Sequence, residues 1–123
     1  MDYTQIETEI VGRIGKVILN RPEVRNAQSR ILLEEMDSAF ALLAENKLVK
    51  VIILTGAGEH FSAGHDLGTQ PELDDQQLRP IEAGVRGRFH RSRELFVDYS
   101  LRWRNLHKPT IAVVKGYCIF GGW

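Results

Sequence analysis

The run Val51-Ile52-Ile53-Leu54-Thr55-Gly56-Ala57-Gly58, leading into Phe61-Ser62-Ala63-Gly64-His65-Asp66-Leu67, decides the reading of this chain. Val49 and Val51 to Leu54 show almost no polar alternation, the pattern of a parallel-type strand covered on both faces. The glycines after it make a turn of little side-chain bulk, able to aim free backbone N–H groups at an oxygen. A second unit of the same kind stands at Pro109-Thr110-Ile111-Ala112-Val113-Val114-Lys115-Gly116-Tyr117-Cys118-Ile119-Phe120-Gly121-Gly122-Trp123, where the sequence stops. Two such donors aimed at one oxygen make an oxyanion hole.

Working outward, Ile6, Thr8 and Ile10 alternate with polar residues, Gly12-Arg13 supplies a turn and Ile14 to Leu19 resumes an apolar run. This predicts a β-hairpin, ended by Asn20-Arg21-Pro22. Asn26 or Ser29 caps the next helix, whose apolar positions Leu32, Leu33, Met36, Phe40 and Leu43 recur at three- and four-residue spacing up to about Asn46. From Gly56 to Arg79 there is no sustained period, which reads as a binding loop or mobile flap. A second helix is expected from Pro80, with Ile81, Val85, Phe89, Phe96, Tyr99, Trp103 and Leu106 as one stripe and a stop forced by Pro109. Ile111 to Val114 reads as another buried strand, and the turn after it should open a third helix. Strands alternating with helices indicate an α/β architecture.

A chain of 123 residues with 43% hydrophobic and 26% charged residues is ordinary for one small domain. Lys plus Arg (16) balances Asp plus Glu (16), so no global field attracts nucleic acid or an anionic membrane. The basic concentration Arg86, Arg88, His90, Arg91, Arg93, Arg102 and Arg104 interleaves with the helix stripe and reads as its solvated flanks. No apolar run approaches a membrane span, and the lone Cys118 cannot form an internal disulfide and reads as a small buried residue. With no leader-like start, the cytoplasm is the simplest compartment. His60, His65, His90 and His107 lack zinc-type spacing, so no metal is expected, and Gly56-Ala57-Gly58 misplaces the third glycine of a dinucleotide-binding loop.

The chemistry these turns suit is reaction beside an acyl carbonyl, where negative charge builds on the oxygen and pre-aimed donors stabilise it without reorganising. The candidate donors are the amide of His65, just beyond Gly64, and that of Gly121, where a helix N-terminus would add its positive dipole end.

Leu19-Asn20-Arg21-Pro22 with Asn26-Ala27, then Phe61-Ser62-Ala63-Gly64-His65-Asp66-Leu67, then His107-Lys108-Pro109-Thr110-Ile111-Ala112 into Gly116-Tyr117-Cys118 and Gly121-Gly122, together resemble the crotonase superfamily, the enoyl-CoA hydratase/isomerase family. The likeness covers nearly the whole chain. It implies a superhelix of stacked strand-strand-helix turns, with residues 1–123 as the N-terminal part of a single acyl-CoA-binding domain ending within the second oxyanion-hole turn. It implies acyl-CoA thioester substrates with no cofactor beyond the coenzyme A they carry, assembly as homotrimers or homohexamers, and the N–H groups of His65 and Gly121 as oxyanion donors. Carried over by position, backbone around Ala63 meets the adenine of coenzyme A and Arg25 to Ala27 line the same pocket, with Arg25 able to approach a phosphate. Arg25, Asn26, Ala27, Ala63, Gly64, Asp66 and Leu67 are thus the implied substrate-binding set.

The turn needs only the amide of His65, and the family takes several residue types there, so the imidazole reads as structural, with proton transfer as the alternative. Asp66 reads as an acceptor of backbone N–H bonds beside a glycine turn, with a general base as the alternative. In hydratases of this family one catalytic glutamate stands immediately after the position of Trp123 and a second further on, and Phe120 replaces a small residue. The reaction is therefore open between hydration of a 2-enoyl-CoA, isomerisation, racemisation, decarboxylation and thioester hydrolysis. A non-catalytic chain with weak coenzyme A binding or an interaction role is the alternative.

Overall fold

The computed structural model describes residues 2–123. The predicted hairpin is present: β1 (Ile6–Val11) pairs antiparallel with β2 (Ile14–Leu19), from Ile6 opposite Leu19 to Val11 opposite Ile14. A single 3-10 turn (Pro22–Val24) leads to helix α1 (Arg30–Glu45), which Ser29 caps by accepting the Leu32 N–H at 3.0 Å. The chain returns through β3 (Val51–Gly56), parallel to β2, and later through β4 (Thr110–Ala112), parallel to β3, so the sheet order is β1-β2-β3-β4.

One face of α1 forms the core. Leu32, Leu33, Met36, Ala39, Phe40 and Leu43 pack against Val17 and Leu19 of β2, Ile52 of β3 and Val49. Glu35, on another side of the helix, holds the chain entering β1, its carboxylate accepting the N–H groups of Thr4 (2.8 Å), Gln5 (2.8 Å) and Ile6 (3.2 Å).

Three features depart from the sequence reading. The segment Gly56 to Arg79 is not irregular throughout, for it contains helix α2 (Gln70–Leu78). This helix has no apolar stripe because it docks through charge. Its buried Asp75 accepts from Arg30 Nε at 2.7 Å and Nη2 at 2.8 Å, and its buried Glu72 accepts the Arg30 N–H at 3.1 Å. Leu73 and Leu78 meanwhile face solvent.

The helix expected from Pro80 exists in three pieces, α3 (Gly84–Ser92), a π-helical turn (Arg93–Asp98) and α4 (Tyr99–Arg104). A π turn inserts a residue into the helical count and rotates the apolar face. Leu95 and Tyr99 therefore join the core, with Trp103 and Leu106 packed against it, while Val85 and Phe89 stay exposed. Several of the basic residues here are engaged internally: Arg91 with Glu72, Arg93 with Asp98 and Arg102 with Asp37.

Finally, Ile111 to Val114 is not a buried strand. β4 is the sheet edge, and Ile111, Val113 and Val114 are each about half exposed. β3 beside it buries Ile52 fully and leaves Val51, Ile53 and Leu54 partly exposed. Cys118 is likewise half-buried, its Sγ 3.1 Å from the Gly122 carbonyl. The last described residues form a 3-10 turn (Phe120–Gly122).

Candidate functional site

The site grows from a reversal after β2. Arg25 and Asn26 both hold φ of 53°, a left-handed conformation that Asn tolerates well. Asn26 is fully buried, so its side chain acts as an internal tie: Oδ1 accepts the Arg21 N–H at 2.9 Å, and Nδ2 donates to the carbonyls of Ala57 (2.9 Å) and His60 (2.8 Å). The turn leaving β2 is thereby fixed to the turn leaving β3.

The segment Phe61 to Asp66 then runs between two neighbours and is bonded to both. On one side Ala63 N–H donates to the Arg25 carbonyl (2.9 Å), Gln28 N–H to the Gly64 carbonyl (2.7 Å) and Asp66 N–H to the Gln28 carbonyl (2.9 Å). On the other, Phe61 N–H donates to Lys115 (2.7 Å), Ser62 N–H to Tyr117 (3.0 Å) and Ile119 N–H back to Ser62 (3.1 Å). The two glycine turns quoted from the sequence are thus brought together. Their contact is tight: a β-carbon at Gly64, whose φ is +94°, would lie 2.6 Å from the Ile119 carbonyl oxygen. Only glycine fits there.

Within this frame the N–H groups of His65 and Gly121 are among those with no acceptor among the described residues, as are those of Gly116, Cys118 and Phe120. Asp66 N–H is spent on Gln28, so the alternation of an extended segment turns the preceding His65 N–H away from Gln28. Gly121 is held from its other end, its carbonyl accepting from Gln28 Nε2 at 2.9 Å. A β-carbon on Gly121 would lie 2.5 Å from His65 Cε1, so the imidazole covers that glycine. Phe120, just before Gly121, has φ of 45° with its side chain 86% exposed.

Asp66 does not present a free carboxylate. Its oxygens accept from Gly68 N–H (3.0 Å), Thr69 N–H (2.8 Å), the Thr69 hydroxyl (2.6 Å) and Arg21 Nη1 (2.9 Å). Burial acts to raise its pKa, but the hydrogen bonds from Thr69, Gly68 and Arg21 outweigh it and hold the carboxyl at about 2. It is a positioning group. Arg21 also donates to the Ala27 carbonyl at 2.7 Å and to Thr69 Oγ1 at 3.1 Å. Arg21 and Gln28 are structural members of the site that the sequence reading missed. The signal for Arg21 was a charged residue set between the turn formers Asn20 and Pro22; Gln28 gave none.

Of the remaining implied residues, Ala63 is tied to Arg25 through its backbone N–H. The Arg25 guanidinium lies 5.9 Å above the ring of Tyr117, which stacks on His60 with centroids 4.1 Å apart. Leu67 is 97% exposed, beyond this group. Two cavities flank the contact between the turns. One of about 650 Å³ is mostly apolar and is lined by Met36, Leu54, Trp103, Gly121 and Trp123. The other, about 250 Å³, is lined by Gln28, His65, Ser92, Leu95 and Phe96 among others. No group of three or more His, Cys, Asp or Glu able to hold a metal ion occurs among the described residues, and no helix of the described chain is long and apolar enough to cross a membrane.

Comparison with known proteins places this geometry. The sequence profile of the enoyl-CoA hydratase/isomerase family matches residues 9–123, and the chain belongs to that family. It is 37% identical over 132 aligned positions to the Mycobacterium tuberculosis protein named putative enoyl-CoA hydratase EchA13, covering 98% of this chain and 42% of that protein. It is 36% identical to the hydroxycinnamoyl-CoA hydratase-lyase of Pseudomonas fluorescens, over 98% of this chain and 41% of the relative. Among solved structures, a probable enoyl-CoA hydratase from Mycobacterium smegmatis superposes with a TM-score of 0.82 at 43% identity, over 95% of this chain and 43% of that one. The fold is therefore the crotonase-type α/β fold. The chain spans about two fifths of the length of the curated relatives it matches.

Proposed function

We propose that this chain supplies the thioester-binding and oxyanion-forming part of an acyl-CoA enzyme of the hydratase/isomerase type, hydration of a 2-enoyl-CoA being the leading reaction. The observation that carries the proposal is the pair of unpaired N–H groups, on His65 and Gly121, in two turns bonded rigidly to each other. When water adds to the β-carbon of an enoyl thioester, electrons move onto the thioester oxygen and an enolate forms. Two fixed N–H groups stabilise that oxygen without reorganising. In this reading the thioester oxygen lies between the His65 and Gly121 amides, and the adenine of coenzyme A rests on the backbone around Ala63. Asn26, Ala27 and Gly64 shape the wall by their backbone, Asp66 holds the loop, and Arg25 reaches toward a phosphate. Leu67 lies at the entrance. Isomerisation, racemisation, decarboxylation and thioester hydrolysis pass through the same enolate or a related oxyanion, and a homotrimer or homohexamer is the assembly proposed with them.

The test is made on the full-length protein. Acyl-CoA binding is measured by calorimetry, and turnover with a series of 2-enoyl-CoA substrates, once with native backbone and once with the Gly121 amide replaced by an ester through semisynthesis. The ester removes the N–H without adding a β-carbon. A fall of about 10²- to 10³-fold in kcat with binding retained is expected for loss of one donor. Unchanged turnover in the ester form removes Gly121 from the mechanism, and a folded protein that binds no acyl-CoA overturns the reading altogether.

A further inference from the structure

We propose that Arg88 is a specificity residue of this site: its guanidinium pairs with a carboxylate at the far end of the acyl chain, so that the substrate is a dicarboxylic acyl thioester and not a plain aliphatic one. The inference rests on the acyl-CoA reading above and deepens it by naming a substrate class. Charge, position and the character of the cavity lead to it.

The cavity of about 250 Å³ beside the His65 turn is lined by the charged side chains of Arg30, Asp66, Glu72, Arg88 and Arg91. All but one of these are neutralised within the fold: Arg30 by Asp75 (2.7 Å), Asp66 by Arg21 (2.9 Å), and Glu72 and Arg91 by each other (3.6 Å). The Arg88 side chain has no hydrogen bond, ion pair or ring contact to any described residue. Glu82 and Glu94, nearby acids that hold no ion pair among the described residues, line a different cavity, one of about 340 Å³. The first cavity is thus left with an uncompensated positive charge, and the Ser92 hydroxyl that also lines it is likewise without a partner.

Position sets what that charge can meet. Arg88, Ser92 and Phe96 follow one another at four-residue spacing along α3 and the π turn, so they line one side of the cavity in that order. Phe96 packs on the His65 ring with centroids 4.0 Å apart, which puts this end of the row beside a candidate oxyanion donor. Arg88 therefore stands roughly 12 Å of helix from the thioester end, a span that a short acyl chain and the arginine's own side chain cover together. Leu33, Leu95 and Phe96 supply apolar lining for the methylene groups. Arg88 is exposed, so an ion pair forms there with little desolvation cost. A guanidinium matches a carboxylate in a bidentate pair, whereas a plain aliphatic chain would end against an unanswered cation.

The experiment compares glutaryl-CoA with pentanoyl-CoA, saturated ligands of equal chain length that are not hydrated, by calorimetry on the full-length protein. Wild type is expected to bind glutaryl-CoA about 5- to 20-fold more tightly, the scale of one charge-assisted pair open to water, with the preference shrinking as salt is raised. Arg88→Gln should bring the ratio to about one, and Arg88→Lys should keep part of it. Free coenzyme A is measured alongside, because its phosphates are the other anions a guanidinium could meet. A ratio of one in wild type, or a preference that survives in Arg88→Gln, overturns the proposal. So does an equal weakening of glutaryl-CoA, pentanoyl-CoA and free coenzyme A in that variant, a result that assigns Arg88 to a phosphate. Failure of every ligand to bind a folded protein overturns the acyl-CoA reading itself, a result distinct from binding without preference.

Discussion

The imidazole of His65 lies directly over Gly121, so close that a β-carbon on the glycine would stand 2.5 Å from His65 Cε1 and 2.6 Å from Nε2. The two residues come from turns far apart in sequence. Their contact makes a methyl group at Gly121 a sterically coupled change: Gly121→Ala is expected to cost about 1–3 kcal/mol, the range for overpacking. In an His65→Ala background at least half of that cost should vanish, read from urea midpoints as a double-mutant cycle. Additive losses would mean that the methyl meets something other than the ring.

Gly64 gives a contrasting case. There the obstacle is backbone, the Ile119 carbonyl oxygen at 2.6 Å, and φ is +94°. A carbonyl held in a ladder cannot yield as a side chain does. Gly64→Ala should therefore cost more than about 2 kcal/mol from strain and overlap together. Thermal unfolding measures it, and no single partner substitution should rescue it.

The buried pair Arg21–Asp66, with side chains 4% and 1% exposed, is expected to be asymmetric in its response. Arg21→Met strands the carboxylate and should cost about 3–5 kcal/mol. The pH dependence has a definite sign. The folded-state pKa of about 2 lies below the ordinary 3.8, so the carboxylate's contribution is complete above pH 4 and is lost as pH falls toward 2. The stability gap between wild type and Asp66→Asn should close over that interval in urea titrations, and a gap that is flat with pH would contradict the assignment.

Phe120 holds a left-handed φ of 45° with its ring 86% exposed, so its side chain returns little packing for the conformation it occupies. Phe120→Gly should stabilise this chain by about 0.5–1 kcal/mol, the relief of a bulky left-handed residue less the extra entropy of unfolded glycine. A lower Tm in the variant would show that the ring packs.

Helix α2 is fastened by Arg30 to Asp75 and Glu72. Arg30→Leu keeps the backbone N–H bond to Glu72 but leaves Asp75 buried without its cation. Hydrogen exchange should then rise across Gln70–Leu78 while α1 and β2 keep their protection. Uniform change across the chain would indicate a global effect and not release of this one helix.

What could be read in advance follows from what leaves a period behind. β2 and α1 bury residues at intervals of two and near 3.6, and β3 showed itself as an unbroken β-branched run, whereas β1 buries only Ile6 of the alternating positions that marked it. Both glycine turns were legible because a left-handed or crowded position restricts residue type. α2 was not, since ion pairs between residues 45 apart, such as Arg30 with Asp75, carry no local pattern. The apolar stripe after Pro80 was visible, but a π turn at Arg93–Asp98 changed which of its members face inward. In the site, the backbone donors could be anticipated and their supports could not: Gln28 fixes Gly121 across 93 residues, a relation that exists only in the folded chain.

The sheet order β1-β2-β3-β4 repeats the order of synthesis. Each strand, as it leaves the ribosome, finds its neighbour already made, and none has to wait for a later segment to be inserted beside it. Folding can therefore keep pace with translation, each new strand docking on the last.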